Sequence, residues 1–252
     1  MEIIIGCYIA LVGLAIGSFL NVLIYRIPLK ISAVKGNSYC PNCEHKLNWL
    51  DLFPVFSYIF LLGKCRYCKE KISFQYPLVE LLNGVCYLAI YFIVGLNINS
   101  LIYALVCSCL ITLAFIDIDH KIIPDRFHII IGACGIISVF TNQNLPLLDR
   151  IIGLFAVSVP LLLIVIFIGG MGMGDVKLLA ACGFLLGWKL IFLTMLVSSV
   201  IAALFGIYLM ITKKAGRKSE IPFGPYIAFA VIICLLVGNN IISLYLNFLG
   251  VK

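Results

Sequence analysis

Two short stretches place carboxylates at the ends of long apolar runs. One is LAFIDIDHKIIPD, with Asp117 and Asp119; the other is GGMGMGDVKLL, with Asp175 and Lys177 behind four glycines. Between Arg150 and Asp175 lie 24 residues without a charge. Ionisable groups at membrane-length segments are rare and usually functional. Two carboxylates that meet at one depth, on separate helices, cannot both ionise cheaply, so they share a proton and titrate as a pair. The ionised member can take a proton from water, and the protonated member can give one to a carbonyl oxygen, which is the chemistry of an aspartic protease. Gly172 and Gly174 suit such a site as substrate-positioning residues, because a backbone without Cβ lets a peptide strand approach closely and can adopt φ > 0. Lys177, two residues beyond the acid, is grouped with them.

Other roles compete for the same residues. On a continuous helix, residues two apart point about 200° apart. Asp117 and Asp119 therefore face away from each other, only one can turn towards Asp175, and position alone does not choose between them. Asp175 can cap the helix that starts at GDVKLLAACGFLLG. Asp119 can pair with Lys121 or Arg126, and Asp125 can cap the segment after Pro124. A proton-coupled transporter also places acids in a membrane, and composition does not separate it from a protease.

These acids need helices to carry them. Of 252 residues, 63% are hydrophobic and 12% charged, and the mean hydropathy is +1.15. Soluble domains run near 45–50% apolar and about 25% charged, so the composition excludes an ordinary soluble enzyme. The net charge of +7 does not point to nucleic acid, because in a membrane protein the placement of Lys and Arg matters more than their sum. A span needs about 20 apolar residues. Uncharged windows lie between Glu2 and Arg26, between Glu80 and Asp117 (two spans split by GLNINS), between Arg126 and Asp149, and between Arg150 and Asp175. A shorter apolar helix follows Asp175 and ends near residues 187–188. Further windows run from Lys189 to Lys213 and from Glu220 to Lys252, the last with room for an interfacial helix. The pattern predicts an all-α polytopic membrane protein with about eight transmembrane helices in the lipid bilayer. The first segment lacks a basic n-region and reads as a retained span. Placing residues 26–77 in the cytoplasm puts 15 of the 18 Lys and Arg inside, leaving only Arg150, Lys189 and Lys252 outside, which favours both termini outside.

Residues 26–77 form the one long polar stretch. They hold Cys40 and Cys43 in CPNC, and Cys65 and Cys68 in CRYC. Each C-x-x-C sets two sulfurs in a tight turn, and two such turns can close a tetrahedron around Zn2+. A reducing cytoplasmic loop disfavours disulfides, and zinc can supply roughly 10 kcal/mol to a segment with little core. Four thiolates fill the shell, so the metal is expected to be structural; His45 is an alternate ligand that the site does not need. The other seven cysteines lie in apolar segments and read as small hydrophobes. FPVFSYIFLLG, residues 53–63, is too short to span and suits the interface or the bundle surface. Pro77 suits a first helical position, and Glu80 a first turn.

Five motifs, GSFLNVLIYRIP (17–28), CPNC to VELL (40–82), IDIDHKIIPD (116–125), GMGDVKLLAACGFLLG (172–187) and IPFGPYIAF (221–229), occur in this order. Together they resemble the type IV prepilin peptidase family, the leader peptidases and N-methyltransferases of the GxGD aspartic protease type. The resemblance implies Asp117 and Asp175 as the catalytic pair, since the family's first aspartate lies seven residues before the Pro of the IP pair. It implies cleavage of a basic leader from type IV prepilins or pseudopilins after a Gly, at the cytoplasmic face of the bacterial inner membrane, and methylation of the new N-terminus with S-adenosyl-L-methionine. It links the cysteine loop, and within it Gly63, to methyl transfer. The implied organisation is a first transmembrane helix over 1–25, the cytoplasmic zinc-binding loop domain over 26–77 and a peptidase bundle over 78–252. Gln75 and Asn37 stand where basic residues are common in the family, the link from Arg26 to Cys40 is short, and no Rossmann-like glycine motif is present.

Overall fold

The structure, a computed structural model, describes residues 1–32, 36–212 and 221–250. The basic cluster at 213–218 and Lys252, used above to orient the chain, lie outside the described residues. Helices α1 (Glu2–Arg26), α2 (Phe56–Phe60), α3 (Gln75–Val94), α4 (Ile98–His120), α5 (Asp125–Thr141), α6 (Leu147–Ala156), α7 (Ser158–Phe167), α8 (Met173–Leu186), α9 (Trp188–Ile211) and α10 (Gly224–Phe248) follow in order. Among the described residues there is no strand, only two isolated bridges. Six helical stretches are long and apolar enough to cross a membrane: α1, α3, α4, the α6–α7 pair, α9 and α10. This is the all-α, multi-pass architecture expected. The two remaining apolar windows hold α5, of 17 residues, and α8, of 14, both short of a comfortable span.

The chain parts into two compact units, Met1–Ser100 and Leu101–Lys252. In the first, α1 and α3 pack backbone to backbone. A Cβ on Gly13 would lie 2.9 Å from Gly84 Cα, and one on Gly17 would lie 2.7 Å from Glu80 Cα; small residues four apart allow this approach between apolar helices. Two amides fasten the pair, with Asn83 Nδ2 donating to Gly13 O at 2.7 Å and Asn21 Nδ2 to Tyr76 O at 3.0 Å.

The start of α3 differs from expectation. Ser73 Oγ accepts the Gln75 N–H at 3.2 Å, so the helix begins two residues before Pro77. That carries Glu80 beyond the first turn, where it lies buried and accepts the Val55 N–H at 2.7 Å. Glu80 thus ties the loop to the helix pair and does not serve the helix dipole. The FPVFSYIFLLG run forms only the five-residue α2, with Phe60 and Leu62 strongly exposed on the unit's surface.

In the second unit α4 is largely enclosed, with Val106, Leu110, Leu113 and Ile116 buried. Helices α6 and α8 cross where Gly153 and Gly183 meet, each taking the space a Cβ on the other would need. The α6–α7 span breaks at Val157, because Pro160 has no N–H for the carbonyl one turn earlier.

Candidate active site and metal centre

Asp117 lies in the last turn of α4 and Asp175 in the first turn of α8; both are buried, whereas Asp119 is exposed. The opposite facing of Asp117 and Asp119 follows from helix geometry, and Asp117 is the member that turns inward. Its carboxyl group is close enough to Asp175 for the two to act on each other electrostatically. Gly224, at the start of α10, donates its N–H to Asp117 Oδ2 at 3.1 Å. Ile123 is common ground for the two sides: a Cβ on Gly174 would lie 3.0 Å from its Cβ, and one on Gly224 3.0 Å from its Cδ1. The IDIDHKIIPD, GMGDVK and IPFGP stretches therefore converge on one buried spot.

The glycines do not act through left-handed backbone, as the sequence suggested. Gly172 is the N-cap of α8 with φ −73° and ψ 140°, and positive φ falls instead on Gly169 and Gly170. What Gly172 and Gly174 supply is room: a Cβ at 172 would stand 3.3 Å from Asp175 Oδ2, and one at 174 would press on Ile123. Asp175 is not the cap of α8, since Gly172 holds that position and accepts the Asp175 N–H at 3.1 Å.

Lys177 reaches Asp125, with Nζ 2.7 Å from Oδ1. Asp125 does not cap α5 either, because Pro124 occupies the N-cap. Its carboxylate bridges two motifs and lies 3.4 Å from Nδ1 of the buried His128. Sequence reasoning passed over His128 and Gly224. The three-residue spacing from Asp125 to His128, which places them on one helical face, was the available signal for the first; a glycine beside Pro225 was the only one for the second.

The second constellation lies in the loop. Cys40, Cys43, Cys65 and Cys68 bring their sulfurs within 4.8 Å of one another, and Cys40 Sγ lies 3.8 Å from Cys68 Sγ. A tetrahedron with Zn–S bonds of about 2.3 Å has edges of about 3.8 Å, so the four thiols fit zinc. The two turns repeat one design. The Cys40 N–H bonds to His45 O and the Glu44 N–H to Cys40 O; the Cys65 N–H bonds to Glu70 O and the Lys69 N–H to Cys65 O. Glu44 and Lys69, each just past its second cysteine, both take positive φ.

Hydrogen bonds from the Glu70 N–H and from Asn42 draw the Cys68 thiol down to about 6, towards the thiolate a metal needs. The His45 N–H favours a thiolate at Cys43, but burial and the neighbouring Cys40 and Cys68 sulfurs push that thiol up to about 11. His45 itself stacks on Tyr67 with ring centres 3.6 Å apart and stands outside the four-sulfur group. Burial works to raise Asp51, yet Arg66 at 2.6 Å, the Asn48 N–H and the Tyr67 hydroxyl together hold its carboxyl below the usual range. That contact pins the second knuckle to the turn at Trp49–Asp51. Gly63 enters the same knuckle at φ 68°, and a Cβ there would stand 2.9 Å from the Tyr58 hydroxyl.

Comparison with known proteins agrees with this division. The bacterial peptidase A24 N-terminal domain matches residues 11–94, and the type IV leader peptidase family matches residues 104–207. A prepilin leader peptidase/N-methyltransferase of Aeromonas salmonicida (strain A449) is 34% identical over 94% of this chain and 92% of its own length. Proteins of the same name from Pseudomonas aeruginosa, 33% identical over 96% of this chain and 93% of theirs, and from Bacillus subtilis (strain 168), 34% identical over 93% and 95%, are similarly close. No solved structure matches the chain. With such identity along nearly its whole length, and with both halves matched in order, the chain belongs to the type IV leader peptidase family.

Proposed function

We propose that this protein is a membrane-embedded aspartic endopeptidase that removes the basic leader from type IV prepilins or pseudopilins, after a Gly, and then N-methylates the new N-terminal residue. Asp117 and Asp175 are the catalytic pair. One carboxylate takes a proton from the attacking water, the other gives its proton to the scissile carbonyl oxygen, and the amine leaves with a proton as the bond breaks. The observation that carries this reading is the convergence of the two buried carboxylates, with Gly224, around Ile123. Gly172 and Gly174 leave the approach to Asp175 open for a peptide backbone. Lys177, through its contact with Asp125, holds the start of α8 beside the IDIDHKIIPD turn.

The work takes place at the cytoplasmic face of a bacterial inner membrane. The bias of Lys and Arg supports that side, and an apolar prepilin helix lying in the bilayer would deliver its scissile bond at the same depth, which turns a search into positioning. Zinc bound by the four cysteines holds the loop together structurally. S-Adenosyl-L-methionine, when bound, would supply an electrophilic methyl group for the new N-terminal amine.

Mass spectrometry of a prepilin co-expressed with this protein tests the proposal. A leaderless, methylated product with the wild type and an intact leader with Asp175→Asn is the expected result. An intact leader in both, with folded protein and a substrate that a related peptidase cleaves, overturns it.

A further inference from the structure

Between the loop and one end of the α1–α3 pair lies an open cavity of about 400 Å3, inside the roughly 300–1,000 Å3 range of small-molecule sites. Every wall residue falls between Ser18 and Glu80, within the first unit. The helices contribute Asn21 and Glu80, both buried, and the loop contributes Cys40 and Cys65. Tyr25, Tyr39 and Tyr76 add aromatic faces.

A carboxylate buried in apolar surroundings is costly unless it is hydrogen-bonded. Glu80 accepts the Val55 N–H at 2.7 Å and a hydrogen bond from Ser18. A carboxylate offers about four lone-pair sites, so Glu80 keeps acceptor capacity for a ligand in the cavity it lines. Val55, the donor, holds φ 61°, an uncommon conformation for a β-branched residue, and the Glu80 contact ties that part of the loop to α3.

We propose that this cavity binds S-adenosyl-L-methionine, with Glu80 accepting from the ribose hydroxyls and the tyrosines facing the adenine ring and the sulfonium cation. The inference rests on the methyl-transfer reading above and gives it a place. The donor set fits the ligand: an acid for a ribose hydroxyl, as in dinucleotide-binding folds, and aromatic faces for a purine and a cation. The ligand carries no phosphate, so the missing glycine-rich phosphate loop is no obstacle. Because Cys40 and Cys65 form part of the wall, a metal held by the four sulfurs would stiffen the cavity. Tyr58 is another wall residue, and it is the one a side chain at Gly63 would displace.

Full-length protein in detergent is titrated with S-adenosyl-L-methionine by calorimetry, and wild type is cross-linked by ultraviolet light to the methyl-tritiated ligand and mapped by peptide. One site per chain is expected, with the label within residues 18–80. Glu80→Gln keeps an acceptor for the Val55 N–H but removes the charge, and should weaken binding about tenfold. Val22→Trp fills the cavity from α1 and should abolish binding with the melting temperature unchanged, while Asp175→Asn binds as wild type does. Label confined to residues beyond 100, or wild-type affinity in both cavity variants, overturns the cavity assignment and leaves the methyl-transfer reading standing. No binding by wild type, together with a cleaved but unmethylated prepilin, overturns both.

Discussion

The backbone N–H of Gly224 points at Asp117 Oδ2 from 3.1 Å, and a Cβ built on Gly224 would lie 2.7 Å from that same oxygen. A carboxylate and a glycine 107 residues apart are thus fitted to each other. A side chain at 224 must move Asp117 or lift the start of α10. Misplacing a reacting group by about 1 Å can cost about 100-fold in rate. Gly224→Ala should therefore lower prepilin cleavage by about that factor. Gly132→Ala is the control: nothing lies within 4 Å of its Cβ, and in a helix interior the change should stabilise by about 0.5–1 kcal/mol. Cleavage assays and melting curves on both variants decide the matter; equal activity in the two would show that the close fit is not needed.

Asp117 and Asp119 allow a sharper contrast, because they share a helix and differ in facing. Asp117→Asn removes one member of the buried pair and should reduce cleavage at least 1,000-fold, near the upper range of what acid–base catalysis contributes. Asp119→Asn alters an exposed group and should keep at least half of wild-type activity. The assay is leader removal in detergent, with circular dichroism to verify folding. Loss of activity in Asp119→Asn alone would reverse the assignment.

Lys177 and Asp125 form an ion pair at 2.7 Å, yet both side chains are half-exposed or more. Pairs of that kind contribute about 0–1 kcal/mol. Lys177→Met should leave the melting temperature almost unchanged. If the pair holds α8 against the IDIDHKIIPD turn, the variant's cleavage rate should fall several-fold at saturating substrate. A change confined to KM would instead give Lys177 a direct contact with substrate.

The loop predicts a metal content. Purified protein should carry one zinc per chain by elemental analysis. Cys43→Ser should release it, because two sulfurs on one turn and a single sulfur on the other cannot close the shell. Zinc should also leave on acidification, since only deprotonated thiols bind it. Asp117 and Asp175 lie in the other compact unit, so cleavage should outlast methylation when the metal is stripped. Simultaneous loss of both activities would mean that the loop supports the peptidase as well.

How far the sequence was readable depended on the range of the interaction. The cysteine turns are local: C-x-x-C fixes its own geometry, and two copies announce a metal. The spans were legible because 20 uncharged residues in a row have few other uses. The placing of Asp117 and Asp175 at the ends of apolar helices followed from the same windows. The choice of Asp117 over Asp119 did not, because it depends on which face of α4 meets α8 and α10. Gly224 was invisible as a partner for Asp117 since a backbone N–H carries no side-chain signal. Glu80 was misread because its partner, Val55 N–H, lies in a loop, and the helix start shifted by only two residues.

Arg150 shows the same limit in another form. In the sequence it is one of three basic residues on the unfavoured side of the membrane. In the structure it is fully buried, and its guanidinium donates to the carbonyls of Ser138, Asn142, Leu145, Phe184 and Leu185. These acceptors lie at the C-terminal ends of α5 and α8 and in the loop before α6, where most carbonyls lack helical partners and the dipoles favour a cation; Ser138 O also accepts the Asn142 N–H. The charge is thus neutralised by backbone. Arg150→Met should leave several carbonyls unsatisfied at about 1–3 kcal/mol each and lower the melting temperature sharply. Arg150→Lys, with three donors in place of five, should recover only part of the loss. Thermal unfolding in detergent measures both; wild-type stability in Arg150→Met would mean that water, and not the guanidinium, satisfies those carbonyls.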